Sequence, residues 1–466
     1  MPLRIDRRTA VALLVAVVFF MENLDATVIT TALPALARDF ATQPAYLSVG
    51  VSAYLVALTV FIPISGWAAE RYGARRIFSW AIVIFSLASL ACAGASSLAG
   101  FTLARIAQGI GGAMMVPVGR FVVLRDTPKS EMVRAIAIIT WPGLLAPVLG
   151  PVVGGWIATH WSWHWIFLLN LPIGVLALLA ALRLLEPGHG SQRAPFDTLG
   201  FLLSGLGLGL FMGALELASR DDLPRSLALL VLLAAIGLLL ACRKHLARVA
   251  HPLFDLAPLG IATFRVTAIG GSLFRTAIGS APFLLPLMFQ VGFGYSAVQA
   301  GALLLWLFAG NLCMKPATSW IMQRWGMRRV LLGNGLLVAA GFGLCALLQQ
   351  DTPQVLVCAL LFVSGMNRSM QFTALNTIAF ADIPQPHMRD ASTLFSVLQQ
   401  LNSGMGIAIG ALALSVASAC LGLAPGAAGG ADFRLAFAFM ALLALLALVD
   451  AARLPASAGS AILQRR

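Results

Sequence analysis

The sequence predicts an all-α integral membrane fold of 14 transmembrane helices, built as two pseudo-symmetric six-helix bundles plus an inserted helix pair, a 6+2+6 layout. Three observations carry this expectation. Of the 466 residues 59% are hydrophobic and only 11% charged, and the mean hydropathy is +0.90, far from the composition of a water-soluble globule. Basic residues alternate from one connector to the next. One connector recurs, in altered form, in the second half of the chain.

A bilayer crossing needs about 20 apolar residues. In chain order such runs lie at roughly 9–35, 47–68, 77–97, 100–124, 135–158, 165–185, 198–218, 226–242, 265–289, 298–321, 330–349, 354–379, 391–420 and 433–452. The first is too long for a secretory signal and carries Glu22 and Asp25. No connector is long enough for a soluble domain.

Even-numbered connectors hold most bases, among them Arg71, Arg75, Arg76, Arg125, Lys129, Arg134, Arg324, Arg328, Arg329 and Arg389, whereas odd-numbered ones hold Arg38, Arg220, Arg225 and Arg434. Because Lys and Arg are retained on the cytoplasmic side, both termini are expected there, in a multi-pass protein of the cytoplasmic (inner) membrane. The net charge of +13 is spread singly or in pairs between apolar runs, so it reads as topology and not as a nucleic-acid surface. The six cysteines form no CxxC, which argues against a disulfide framework and a zinc site.

The connector Gly66 to Arg76 (GWAAERYGARR) matches Ser319 to Arg329 (SWIMQRWGMRR) at five of eleven positions, offset by 253 residues. A repeat of this kind implies two related bundles. The expected units are 1–188, an N-terminal six-helix bundle; 189–262, inserted helices 7 and 8 with their linkers; and 263–466, a C-terminal six-helix bundle.

With these motifs in view, the chain resembles the major facilitator superfamily, in its 14-helix drug:proton antiporter branch. Gly66, Glu70, Arg71, Gly73, Arg75 and Arg76 resemble the family's cytoplasmic loop motif, with Glu in place of the commoner Asp. Arg105, Gln108, Gly109, Gly111 and Gly112 resemble its membrane-embedded Arg motif. Gly143, Pro147, Gly150, Pro151, Gly154 and Gly155 resemble its antiporter motif, and the stretches Leu24 to Pro34 and Trp163 to Gly174 resemble branch-specific sequences. The resemblance implies a cytoplasmic latch in the loop motif, a hinge in the antiporter motif and a monomer. In the latch, Glu70 is expected near a helix N-terminus and Arg71 near carbonyl ends or Asp126. For the hinge, small residues and prolines at spacings of three and four also fit tight helix packing alone, and the two readings are compatible.

Ionisable groups at membrane depth are expensive and usually face a partner or a cavity. Asp25 lies roughly 24 Å along the first helix, Glu22 one turn before it, and Arg105 at similar depth, so proton coupling through Asp25, Glu22 and Arg105 is expected beside the alternative of a permanent ion pair. Arg275, Arg368 and Lys315 fall in second-half helices that lack a clear mid-membrane acid, although Lys315 lies near an end from which it can snorkel. With Trp141, Asn311, Gln371 and Gln399 they form the expected substrate-binding set. Four intramembrane bases against two acids make a cavity that favours organic anions or zwitterions over lipophilic dications.

No Walker motif is present, so the expected energy source is a proton gradient, with no cofactor and no metal. The function expected is proton-coupled export of small organic molecules by alternating access, with the lipid bilayer, protons and a small-molecule substrate as partners and no nucleic acid. An organic-anion (polycarboxylate-like) exporter or facilitator is the alternative. An enzyme is not expected.

Overall fold

The computed structural model describes residues 6–40, 44–187, 195–218, 224–421 and 430–460. Arg220 and the expected unit boundary at 188/189 lie outside them. The described residues form helices and no strand. The first half contains α1 (Arg7–Asp39), α2 (Pro44–Phe61), α3 (Ile64–Tyr72), α4 (Ala74–Ala93), α5 (Leu98–Arg125), α6 (Met132–His160), α7 (His164–Leu168) and α8 (Asn170–Leu184). Next come α9 (Thr198–Ala218) and α10 (Arg225–Leu246), and then α11 (Ala262–Ala268), α12 (Gly270–Leu287), α13 (Ala297–Trp325), α14 (Met327–Ala346), α15 (Gln354–Ile378), α16 (Met388–Cys420) and α17 (Gly430–Ala452). Among the described residues 12 helices are long and apolar enough to span a membrane, and α2 with α3 forms a further apolar unit bent by 57°. The bend falls where Pro63 removes a backbone donor.

Helices α1 to α8 pack mainly on one another, as do α11 to α17, while α9 and α10 pair and α9 reaches both α2 and α16. Close crossings use glycine. A Cβ at Gly109 of α5 would stand 2.5 Å from the Tyr54 carbonyl oxygen of α2, and one at Gly111 would stand 2.8 Å from the Phe85 nitrogen of α4. In the second half Gly310 of α13 and Gly365 of α15 each face the other helix's backbone directly.

The sequence repeat has a structural counterpart. Gly73 joins α3 to α4 at φ 88°, and Gly326 joins α13 to α14 at φ 80°, a left-handed conformation open to glycine. Two residues on, Arg75 Nη2 donates to the Leu182 carbonyl of α8 at 2.6 Å, and Arg328 Nη2 donates to the Ala452 carbonyl of α17 at 2.9 Å. Both arginines therefore satisfy the closing turn of their own half's last helix, where free carbonyls attract a cation.

Candidate functional site

The first polar cluster is sealed within the first half. Asp25 of α1 and Arg105 of α5 form an ion pair at 2.6 Å, with both side chains 0% exposed. Asp25 Oδ1 also accepts from Gln108 Nε2 and from Asn170 Nδ2, each at 2.8 Å. Arg105 donates to Gln108 Oε1, Gln108 and Asn170 both donate to Ser89 Oγ of α4, and the guanidinium lies 4.3 Å from the Tyr54 ring centre. Side chains of α5 and α8 thus bond the α1 carboxylate directly, and Ser89 of α4 joins the cluster through Gln108 and Asn170. Such charge-assisted bonds between fully buried side chains are strong and fix geometry. Glu22 differs: it is buried, yet its Oε2 has no hydrogen-bond partner among the described residues.

The second cluster lies between the halves. Arg120 of α5, buried, donates to Ser396 Oγ at 3.0 Å and to Gln399 Oε1 at 3.1 Å, both on α16. Its guanidinium stands 4.5 Å from the centre of the Phe395 ring, and that of Arg275 stands 5.0 Å from the same ring. Arg275 also donates to Asn376 Oδ1 and to the Thr267 carbonyl. Phe395 therefore serves two guanidiniums, one from each half, through its electron-rich π system.

Of the other residues expected to bind substrate, Lys315 donates to Thr373 Oγ1 at 2.9 Å and Arg368 to the Ile278 carbonyl at 3.0 Å. No carboxylate among the described residues lies within 4.0 Å of Arg120, Arg275, Lys315 or Arg368. Asn311 Oδ1 is buried without a partner there, and Trp141 is exposed on α6. Gln371 faces away from the inter-half cluster in its bonding: its Oε1 accepts from Asn334 at 2.9 Å, tying α15 to α14. Sequence reasoning missed Arg120, which stands near the end of its helix and resembles an interfacial anchor there.

The loop motif closes the halves against each other. Glu70 accepts from Arg389 Nη1 at the N-terminus of α16, and Lys129 donates to the Ala381 carbonyl at 3.2 Å. A Cβ at Gly66 would meet Thr393 Oγ1 of α16 at 2.8 Å, so that glycine permits the contact. Asp126 accepts from its neighbour Arg125 at 2.9 Å, a contact available without any long reach, and Arg71 lies over the rings of Trp67 and Tyr72. The cation facing Glu70 is Arg389, which the sequence did not single out. Arg75 caps α8 as described, and Arg76 is exposed.

The antiporter-motif run lies wholly inside the helix α6. Gly150 packs directly on Thr27 of α1, whose Oγ1 donates to the Ala146 carbonyl at 3.4 Å, and Gly154 is buried. Of this run, Gly143, Pro147, Pro151 and Gly155 lie outside the described side chains. His160 stacks on Trp156 and His164 on Trp163, and no metal-binding cluster occurs among the described residues.

A sequence model of the Major Facilitator Superfamily matches residues 15–406. The chain belongs to that family. It is 35% identical over 447 residues to a putative multidrug resistance protein, MdtD, of Citrobacter koseri, covering 95% of this chain and 94% of that one. It is 36% identical over 403 residues to a probable transport protein, HsrA, of Haemophilus influenzae, covering 86% of each. Among solved structures, the human organic anion transporter MFSD10 aligns with TM-score 0.69 at 15% identity over 95% of this chain and 99% of that one. The proton:xylose symporter XylE aligns with TM-score 0.65 at 14% identity over 97% of each. These two establish likeness of fold. The protein is a multi-pass membrane transporter of this superfamily, related to drug-resistance proteins, and its relatives accord with the branch that the motifs resemble.

Proposed function

We propose that this transporter is a proton-coupled exporter of small organic molecules, working by alternating access in the cytoplasmic membrane with both termini cytoplasmic. The 14-helix, 6+2+6 layout belongs to this reading: α2 with α3, α7 with α8, and α11 with α12 each count as one crossing, and α9 with α10 form the inserted pair between the units 1–188 and 263–466. The monomer, the absence of a cofactor and the hinge role of the antiporter motif are likewise part of it.

One observation carries the proposal: two carboxylates one turn apart on α1, buried together, in unlike surroundings. Asp25 is fixed by Arg105, Gln108 and Asn170, whereas Glu22 has an open oxygen. A proton lodged on this pair changes the charge at the heart of the first half, and the fixed Arg105 offsets whichever carboxylate stays ionised. Alternating access then moves the pair between the two sides of the membrane. The cross-half contacts of Glu70, Lys129 and Arg120 support a state closed toward the basic-loop face.

The test is reconstitution in vesicles with an imposed pH gradient and solutes sorted by charge. Export coupling predicts proton and solute fluxes in opposite directions, lost in Asp25→Asn and in Glu22→Gln. Parallel fluxes, or coupling that survives the double replacement, would refute it.

A second reading, an organic-anion exporter or facilitator, is favoured by the four buried or half-buried cations Arg120, Arg275, Lys315 and Arg368, none of which forms an ion pair among the described residues. The same screen separates it by solute charge.

A further inference from the structure

A groove of about 410 Å³ opens on the outer face of the first half, between α4 and α8, remote from both clusters described above. Its lining changes with depth. At the end level with the basic loops stand Arg75, Arg76, Ser79 and Trp80, and Val83, Leu178 and Leu182 form the wall. From Arg76 to Val83 the helix descends about 10 Å, from the level of lipid headgroups into hydrocarbon.

Four features mark this as a built site. Arg75 is held in place by its bond to the Leu182 carbonyl across the groove. Arg76, one residue on, has no hydrogen-bond or ion-pair partner among the described residues, and Ser79 Oγ is buried and unpartnered there. Glu186, beside Pro187 at the mouth, is engaged by Arg7 at 2.5 Å and so does not occupy the arginines. Trp80 and Leu182 are exposed, which opens the groove to the surrounding lipid.

We propose that this groove binds an anionic phospholipid, with the phosphate held by Arg76, Arg75 and Ser79 and the start of an acyl chain lying against Val83, Leu178 and Leu182. Polarity graded along the membrane normal fits an amphiphile. A free anion needs no apolar wall, and a soluble peptide does not reach this depth. The volume lies within the range of a specific small-molecule pocket, and basic pockets between membrane helices on the cytoplasmic side suit acidic headgroups.

The test uses the full chain in vesicles, reading the fluorescence of Trp80 as the difference between the wild type and Trp80→Phe. Brominated phosphatidylglycerol in a phosphatidylcholine background is compared with the converse labelling. The expected result is a preference for phosphatidylglycerol of roughly ten-fold, reduced about five-fold in Arg76→Gln. Arg76 has no hydrogen-bond or ion-pair partner among the described residues, so its replacement is expected to leave the fold intact. Leu178→Trp, which fills the apolar wall and keeps both arginines, is expected to expel the lipid, with Trp80 read as the difference between Leu178→Trp and Leu178→Trp combined with Trp80→Phe. Equal quenching by both lipids, an unchanged preference in Arg76→Gln together with Leu178→Trp, or full displacement by inorganic phosphate would each overturn the proposal, the last in favour of a soluble anion.

Discussion

Glu70, near the end of α3, and Arg389, in the first turn of α16, form an ion pair that ties the two halves together at the basic-loop face. Their side chains are 29% and 20% exposed, so solvent screens them in part and the pair is worth about 1 kcal/mol, not the several of a buried bridge. That is enough to shift an equilibrium between two bundle arrangements about five-fold. Glu70→Gln and Arg389→Gln are each expected to increase labelling of a cysteine placed at Phe121 by an impermeant thiol reagent from the basic-loop side. The charge exchange Glu70→Arg with Arg389→Glu should restore the low labelling. Loss of labelling control without rescue by the exchange would assign the effect to packing.

The two carboxylates of α1 separate stability from coupling. Asp25→Asn leaves Arg105 buried without its counter-ion, a change that costs about 3–5 kcal/mol when one partner of a buried pair is removed. Glu22→Gln breaks no hydrogen bond among the described residues. Thermal unfolding should therefore fall markedly for Asp25→Asn and little for Glu22→Gln, while proton-coupled flux is lost in both. A stable Asp25→Asn protein would mean that Arg105 finds another partner.

Glycine crossings are predicted to be stringent. Gly109→Ala places a methyl group 2.5 Å from the Tyr54 carbonyl oxygen, and the backbone must shift to admit it. Overpacking of this kind costs about 1–3 kcal/mol. Gly343→Ala, whose Cβ meets nothing within 4 Å, is the matched control and should be neutral or slightly stabilising. Melting temperatures of the two variants in the same detergent decide it.

Much of this was legible in the sequence, for identifiable reasons. Asp25 and Arg105 stand out because charge at mid-membrane depth demands a partner, and the partner found is the one that depth suggested. The repeat was legible because Gly73 and Gly326 occupy positive φ, and Arg75 and Arg328 cap equivalent helices, so both copies keep the same residues for the same local need. Arg120 and Arg389 were obscured because a base near a helix end is already explained by anchoring at the interface. Gln371 shows the reverse problem: polarity inside an apolar run announces a hydrogen bond without naming its partner, which proves to be Asn334. The breaks at Pro63, Leu169 and Ile269 were hidden because hydropathy averages over the interruption.

Arg120 joins recognition to movement, and its two duties can be separated. Its guanidinium holds Ser396 and Gln399 across the interface while sharing Phe395 with Arg275, so a solute carboxylate competing for it would remove bonds that keep the halves together. Hydrogen bonds from a charged donor contribute enough for the loss of this pair to change an equilibrium about ten-fold. Arg120→Lys keeps the charge and loses the forked geometry, so it should retain a preference for anionic solutes and show increased opening at the basic-loop face. Arg120→Gln should lose both. Transport compared across anionic, neutral and cationic solutes, with thiol labelling on the same samples, distinguishes the duties. A fall in transport that is equal for all charge classes in both variants would limit Arg120 to holding the halves together.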